Sequence, residues 1–179
     1  AFKSFKSVQL SDLTLLGSPV QPGPAVDTVL ESKCDDLARA VSRLTLLHAH
    51  DALVILRNSL SIPKLLYTMR TQTAQCSRRP ALQLFDNILR EGLSAILNIH
   101  LSEDQWIQAS LPVRNGGLGI RNATMLAPSA FLASAAGTSD LQDKILRLGS
   151  VISSDPSFQS SFEAWSASSA TLAPTGPEA

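Results

Sequence analysis

Aromatic side chains are scarce: six Phe, two Trp and one Tyr in 179 residues. A core built from this chain must therefore be filled by Leu, Ile, Val and Ala, and a 44% hydrophobic fraction is enough to supply one. There are only two cysteines. Cys34 and Cys76 lie far apart with no CxxC or His-rich spacing near them, which leaves out a zinc knuckle or a disulfide framework and fits reduced thiols of an intracellular protein. Long apolar runs are absent as well. Runs such as Ala52 to Leu56 fall far short of the ~20 residues that span a bilayer, so no membrane association is expected. No charged segment followed by an apolar one opens the sequence, so no signal peptide is expected. The expected location is intracellular, cytoplasmic or nuclear. Net charge is zero, with Lys plus Arg and Asp plus Glu at 15 each, which argues against a chain that is basic throughout. No repeat of fixed period is found.

What is present is mostly helical patterning. Phe5 to Leu16 is the only strand-like stretch, with Val8-Gln9-Leu10 alternating and Leu13 to Leu16 apolar. Gly17 stops it. Ser18-Pro19-Val20-Gln21-Pro22-Gly23-Pro24 reads as a turn-rich linker, unable to form helix or central strand. From Ala25, the residues Val26, Leu30, Lys33, Leu37, Val41 and Leu44 recur at three- and four-residue steps, a helical stripe that runs to Leu47. Lys33 interrupts it. Asp51 fits the N-cap of a second helix through Leu53, Leu56 and Leu60. Pro63 fits the first turn of a third, with Leu65, Leu66 and Met69. Gln72 to Arg79 is polar and reads as a loop. Pro80 opens a fourth helix with Leu82, Phe85, Leu89, Leu93 and Ile96.

Ser102 to Gln105 matches a capping box ahead of a short helix with Trp106 and Ala109, which ends before Leu111-Pro112. Asn115-Gly116-Gly117-Leu118-Gly119 is the strongest turn signal. Asn122 fits the cap of an Ala-rich helix through Phe131 and Ala135, ended by Gly137. Ser139 to Gln142 is a second capping-box match, leading to Ile145, Leu148 and Ile152. Pro156 opens a last helix with Phe158, Phe162 and Trp165. The expected fold is mainly α: a short N-terminal β element and linker over 1–24, a helical bundle over 25–165, and a disordered tail over 166–179, where Ser, Ala, Pro and Thr dominate.

Catalytic and metal-binding residues are not expected. A two-metal polymerase site needs clustered carboxylates on a β-hairpin with apolar flanks, but Asp35-Asp36 sits in a helical pattern and reads as a solvated face. His48, His50 and His100 have no nucleophile partner, and residues two apart, as His48 and His50 are, do not share a helical face. The glycine turn lacks the Lys-Ser/Thr end of a phosphate loop. The window from Arg57 to Arg90 is locally basic. It contains Arg57, Lys64, Arg70, Arg78, Arg79 and Arg90 against the single acid Asp86. Such a window suits contact with a phosphate backbone if these side chains share a face. It reads as ordinary solvated surface if they scatter to different sides, and a nucleic-acid-binding role for these six residues then fails. Tyr67 lies among them and could stack or pack.

Several blocks in order resemble non-LTR, LINE-type retrotransposon reverse transcriptases. Leu15-Leu16-Gly17-Ser18-Pro19 resembles the LLG segment that follows the catalytic palm. Lys33 to Arg43, Leu47 to Leu53 and Leu56-Arg57 resemble the first helices of the thumb-like region. Ile62-Pro63-Lys64-Leu65-Leu66-Tyr67 resembles the P-K-L-x-Y block. Ala109 to Arg121 resembles the LPxxxGGLGxR block, and Ala127 to Ser134 fits the helix after it. The resemblance spans roughly residues 8 to 136. It implies a C-terminal thumb-like fragment of an RNA-directed DNA polymerase, beginning after fingers and palm and inactive alone. The full-length family uses Mg²⁺, whereas no cofactor is expected in this chain.

The resemblance further implies RNA, DNA or RNA–DNA hybrid as partners, beside the missing palm and fingers. Leu16 and Gly17 would lie near a primer end. The competing reading is a retroelement-derived interaction module or a non-functional relic. It predicts an exposed apolar patch, with the Val26 to Leu44 stripe as its best candidate. Under the first reading, replacing Arg78 and Arg79 with Ala should weaken duplex binding equally across sequences. Unchanged affinity and salt slope in a binding titration would count against it.

Overall fold

The computed structural model describes residues 8–72, 74–146 and 156–168. The expected tail beyond 168, Leu148 and Ile152, and Phe5 to Ser7 lie outside the described residues. The chain is mainly helical, with a small antiparallel hairpin at its start. In that hairpin β1 (Thr14–Leu15) pairs with β2 (Ser18–Pro19), Thr14 opposite Pro19 and Leu15 opposite Ser18. The strand is shorter than its apolar run suggested, because Leu10–Asp12 coils into a 3-10 turn. Ser18 and Pro19, read as linker, form the returning strand. Pro19 is tolerated there because the strand is an edge.

Helix α1 (Pro24–Leu44) starts on a proline, whose missing N–H costs nothing in a first turn. Next comes α2 (Ala49–Ile55), with His48 at its N-cap and Asp51 inside its first turn, so Asp51 is not the cap. A five-residue π turn, Leu56–Leu60, continues from it and closes with the Ser61 amide on the Leu56 carbonyl. Helix α3 (Ile62–Thr71) again has proline in its first turn. The stretch read as a loop holds a 3-10 turn, Ala74–Arg78, that buries Cys76. Helix α4 (Pro80–Leu97) ends on Asn98 in the left-handed region, a conformation Asn tolerates.

The capping box of α5 (Glu103–Ser110) is present in full. The Gln105 amide donates to Ser102 Oγ at 3.3 Å, and the Ser102 amide donates to Gln105 Oε1 at 2.9 Å. Helix α6 (Ala123–Leu146) runs straight through Gly137 and Ser139. The expected break is absent because Gly137 costs only about 1 kcal/mol in a helix. Ser139, expected to start a new helix, instead donates back to the Ala136 carbonyl. Helix α7 (Pro156–Ser168) reaches three residues into the segment read as tail.

Helix α4 is the hub. Its buried positions Leu82, Phe85, Asp86, Leu89, Leu93 and Ile96 recur at helical spacing, and α1, α2 and α6 pack on it. The α1 stripe is its main partner: Val26, Leu30, Leu37 and Leu44 are all at most 5% exposed. That corrects the expectation of an apolar patch there, since α4 covers the stripe. The two helices come close because α4 has glycine at the crossing, where a Cβ on Gly92 would lie 2.8 Å from Val41 Cγ2. Full burial of each such Leu contributes about 1.5–3 kcal/mol. Both thiols are buried, and burial pushes each up to about 11. They are therefore protonated and unreactive at neutral pH.

One polar contact fixes the second layer. Asp86 is buried on α4 and takes the Ala123 amide at 2.7 Å and the Thr124 amide at 3.0 Å, the first two of α6. Asn122 Oδ1 takes the Met125 amide at 3.0 Å, and the Asn122 carbonyl takes that of Leu126. The three open amides at the start of the helix, Ala123 to Met125, are thus satisfied by side chains, and the Leu126 amide makes the first bond within the helix. Burial pushes the Asp86 carboxyl above its usual range, opposed by the amide donors. Its contribution to stability is therefore full below about pH 4 and falls as pH rises through the raised value.

Asp86→Ala should cost about 2–4 kcal/mol in urea unfolding, because two buried amides lose their acceptor. The wild type's advantage over Asp86→Asn should be largest near pH 4 and narrow toward neutrality. An advantage that grows with pH would contradict this placement of the charge.

Candidate nucleic-acid interface

The six cations of the basic window do not gather on one face. Arg79 stands at the N-cap of α4 and donates to Asp27 on α1. Arg90 lies roughly 16 Å further along the same helix axis. It is held by Glu103 at 2.6 Å and by the Leu101 carbonyl at 3.0 Å. These two link elements of the fold. Arg57 lies in the π turn, with its Nε on Asn58 Oδ1 at 3.1 Å. Its stem packs over the glycine turn, where a Cβ on Gly119 would meet Arg57 Cδ at 3.1 Å. Arg70 and Arg78 are exposed near the ends of α3 and of the following 3-10 turn. Of the six, Lys64 borders a groove with other cations.

That groove lies between α1 and the junction of the π turn with α3, and encloses about 330 Å³. Its walls carry Lys33, Arg39, Arg43 and Lys64 against one carboxylate, Asp36. Asp36 is paired with Arg39 on the same helix, both well exposed. Among the described residues, Lys33, Arg43 and Lys64 enter no ion pair. Leu37, Ala40 and Leu60 complete the lining. Exposed ion pairs are weak, about 0–1 kcal/mol, so Arg39 remains available to an anion. The groove is thus a site of net positive charge between two packed elements.

Helical geometry explains why α1 can serve both core and groove. Val26, Leu30, Cys34, Leu37 and Leu44 occupy one side. Asp36, Arg39 and Arg43 fall on the flank, and Lys33 and Ala40 on the border between them. Lys33 broke the apolar stripe in the sequence, and that break marks the border. Nothing in the local sequence pointed to Arg39 and Arg43, because their partner Lys64 lies in another helix.

The hairpin tip is the second feature. Leu16 and Gly17 occupy the turn with φ of +51° and +84°. Two successive positive values make the tight turn that suits strand twist. For leucine that conformation costs about 1–2 kcal/mol, yet its side chain is 83% exposed and so gains little from packing. The hairpin is fixed to α3 by side chains. Tyr67 Oη donates to the Leu15 carbonyl at 3.3 Å, the Ser18 and Thr71 hydroxyls are hydrogen-bonded at 2.7 Å, and Gln72 Nε2 donates to the Pro19 carbonyl at 2.6 Å.

Asp35 and Asp36 are exposed on α1, and His48, His50 and His100 are exposed at helix starts or loops. Among the described residues, no group of three or more His, Cys, Asp and Glu is placed to hold a metal ion. No helix among them is long and apolar enough to cross a membrane. In the glycine turn, Gly116 and Gly119 have positive φ. A Cβ on Gly117 would sit 2.1 Å from the Leu111 carbonyl oxygen. That turn is structural: it folds back on α5 through the Leu118 amide on the Ala109 carbonyl.

Comparison with family models, with curated proteins and with solved structures finds no match to this chain.

Leu16→Gly should leave stability within about 1 kcal/mol of wild type, relief of strain offsetting the added freedom of the unfolded chain. Leu16→Val should lower it, because a β-branched residue fits the left-handed region worse. Guanidine unfolding of both variants checks this, and equal stability of the two would contradict the strained turn.

Proposed function

We propose that this chain is a thumb-like nucleic-acid-binding segment of a retrotransposon-type reverse transcriptase, without catalysis of its own. The observation that carries the reading is the α1–α3 groove, where Lys33, Arg43 and Lys64 converge without acidic partners. Unneutralised cations in a groove bind phosphates by releasing counterions, without regard to sequence. The order of sequence blocks that resembles this polymerase family supports the same reading. So does the hairpin tip: a strained, exposed Leu16 held beside α3 suits a residue that positions a strand end supplied with a palm. The scatter of Arg57, Arg70, Arg78, Arg79 and Arg90 counts against the basic window as a binding surface, so the reading rests instead on the cations of α1 and the start of α3.

The interaction-module reading loses its main candidate patch, since the α1 stripe is buried under α4. RNA, DNA and RNA–DNA hybrid all present the phosphates this groove would take.

Titration of a labelled RNA–DNA hybrid across a salt series tests the proposal. Wild type should bind with log K falling steeply with log salt, and the Lys33→Gln, Arg43→Gln, Lys64→Gln triple variant should flatten that slope by about two to three units. Arg90→Gln should leave the slope unchanged. No binding at low salt, or a triple variant that behaves as wild type, would overturn it.

A further inference from the structure

We infer that the α1–α3 groove takes a single nucleic-acid strand in preference to a duplex, with Tyr67 as the stacking platform for one of its bases. The inference rests on the nucleic-acid reading above and specifies its ligand. The groove is a slot between two packed helical elements, enclosing about 330 Å³. A duplex keeps its bases stacked inside and so reaches such a groove only with its backbone phosphates. A single strand can enter, and it brings bases as well as phosphates. The lining matches that composition: Lys33, Arg43 and Lys64 stand on the walls while the half-buried Ala40 and Leu60 supply apolar surface between them. Lys33 and Arg43 are about 15 Å apart along α1, so one backbone running along the groove meets both.

Tyr67 stands outside the groove lining, on the helix that carries Lys64. It follows Lys64 by three residues on α3, and side chains at that spacing are neighbours on a helix surface. The ring is 42% exposed, unusual for the chain's only tyrosine in a protein with so few aromatics to fill its core. Its hydroxyl donates to the Leu15 carbonyl at 3.3 Å, which fixes the ring against the hairpin. A cationic groove with an oriented aromatic face beside it is the combination that binds single strands with little sequence preference. A duplex keeps its bases stacked inside and offers Tyr67 nothing to stack on.

The test uses the full chain in fluorescence anisotropy, with a short labelled oligodeoxynucleotide of mixed sequence and the blunt duplex of that sequence, both titrated across the same salt series. The single strand should bind about ten-fold tighter or more. Tyr67→Ala should lower single-strand affinity by about ten-fold while leaving the salt slope unchanged, and Tyr67→Phe, which keeps the ring and loses the hydroxyl, should keep most of the affinity. Circular dichroism and thermal unfolding of each variant separate loss of binding from loss of fold. If the duplex binds as tightly as the single strand, or Tyr67→Ala costs nothing, the single-strand inference falls and the nucleic-acid reading stands. If neither ligand binds at low salt, both fall.

Discussion

A buried carboxylate on the central helix holds the start of the longest helix, and the second half of the fold depends on that contact. Asp86 projects from the apolar face of α4 into a space where an isolated charge would be costly. It is tolerated because the first amides of α6 converge on it. The same contact sets where α6 begins, and α6 in turn packs on α3, the 3-10 turn around Cys76 and α7. On the opposite side of the hub, α1 relies on nonpolar burial and on the missing side chain at Gly92. One layer is thus placed by a specific polar contact and the other by close packing. Polar contacts specify geometry more sharply than apolar ones, since a shift of α6 would strand buried amides.

The core was largely legible from the sequence, and the reason is local. Spacing of Leu82, Phe85, Leu89, Leu93 and Ile96 is set within one helix, and a capping box is completed within four residues. The features that were missed depend on partners far away in sequence. Gly137 looked like a stop, yet the helix on either side outweighs one glycine. The α1 stripe was the candidate for an exposed patch under the interaction-module reading, and its cover, α4, is not adjacent in the chain. The Asp86 contact spans 37 positions; in the sequence Asp86 was simply the one acid in a basic window.

The same logic explains the candidate site. Counting charges along the chain from Arg57 to Arg90 treats neighbours in sequence as neighbours in space. Folding distributes them, and Arg79 and Arg90 become structural ties to Asp27 and Glu103. The cations that do converge come from the flank of α1 and the start of α3, where the intervening π turn sets Leu60 and Lys64 at the groove. Lys33 was visible as the residue that broke an apolar stripe, the one local signal that this flank was not core.

These elements place a cationic groove, an oriented tyrosine and a hairpin tip along one side of α3. The proposed binding of nucleic acid to that side is tested most directly by photo-crosslinking a thiouridine-containing oligonucleotide to the chain and mapping the modified peptides by mass spectrometry. Crosslinks should concentrate in the peptides that carry Lys33 to Arg43 and Leu60 to Tyr67. Crosslinks concentrated instead around Arg78 to Arg90, or spread evenly over the surface, would contradict the placement of the interface on α1 and α3.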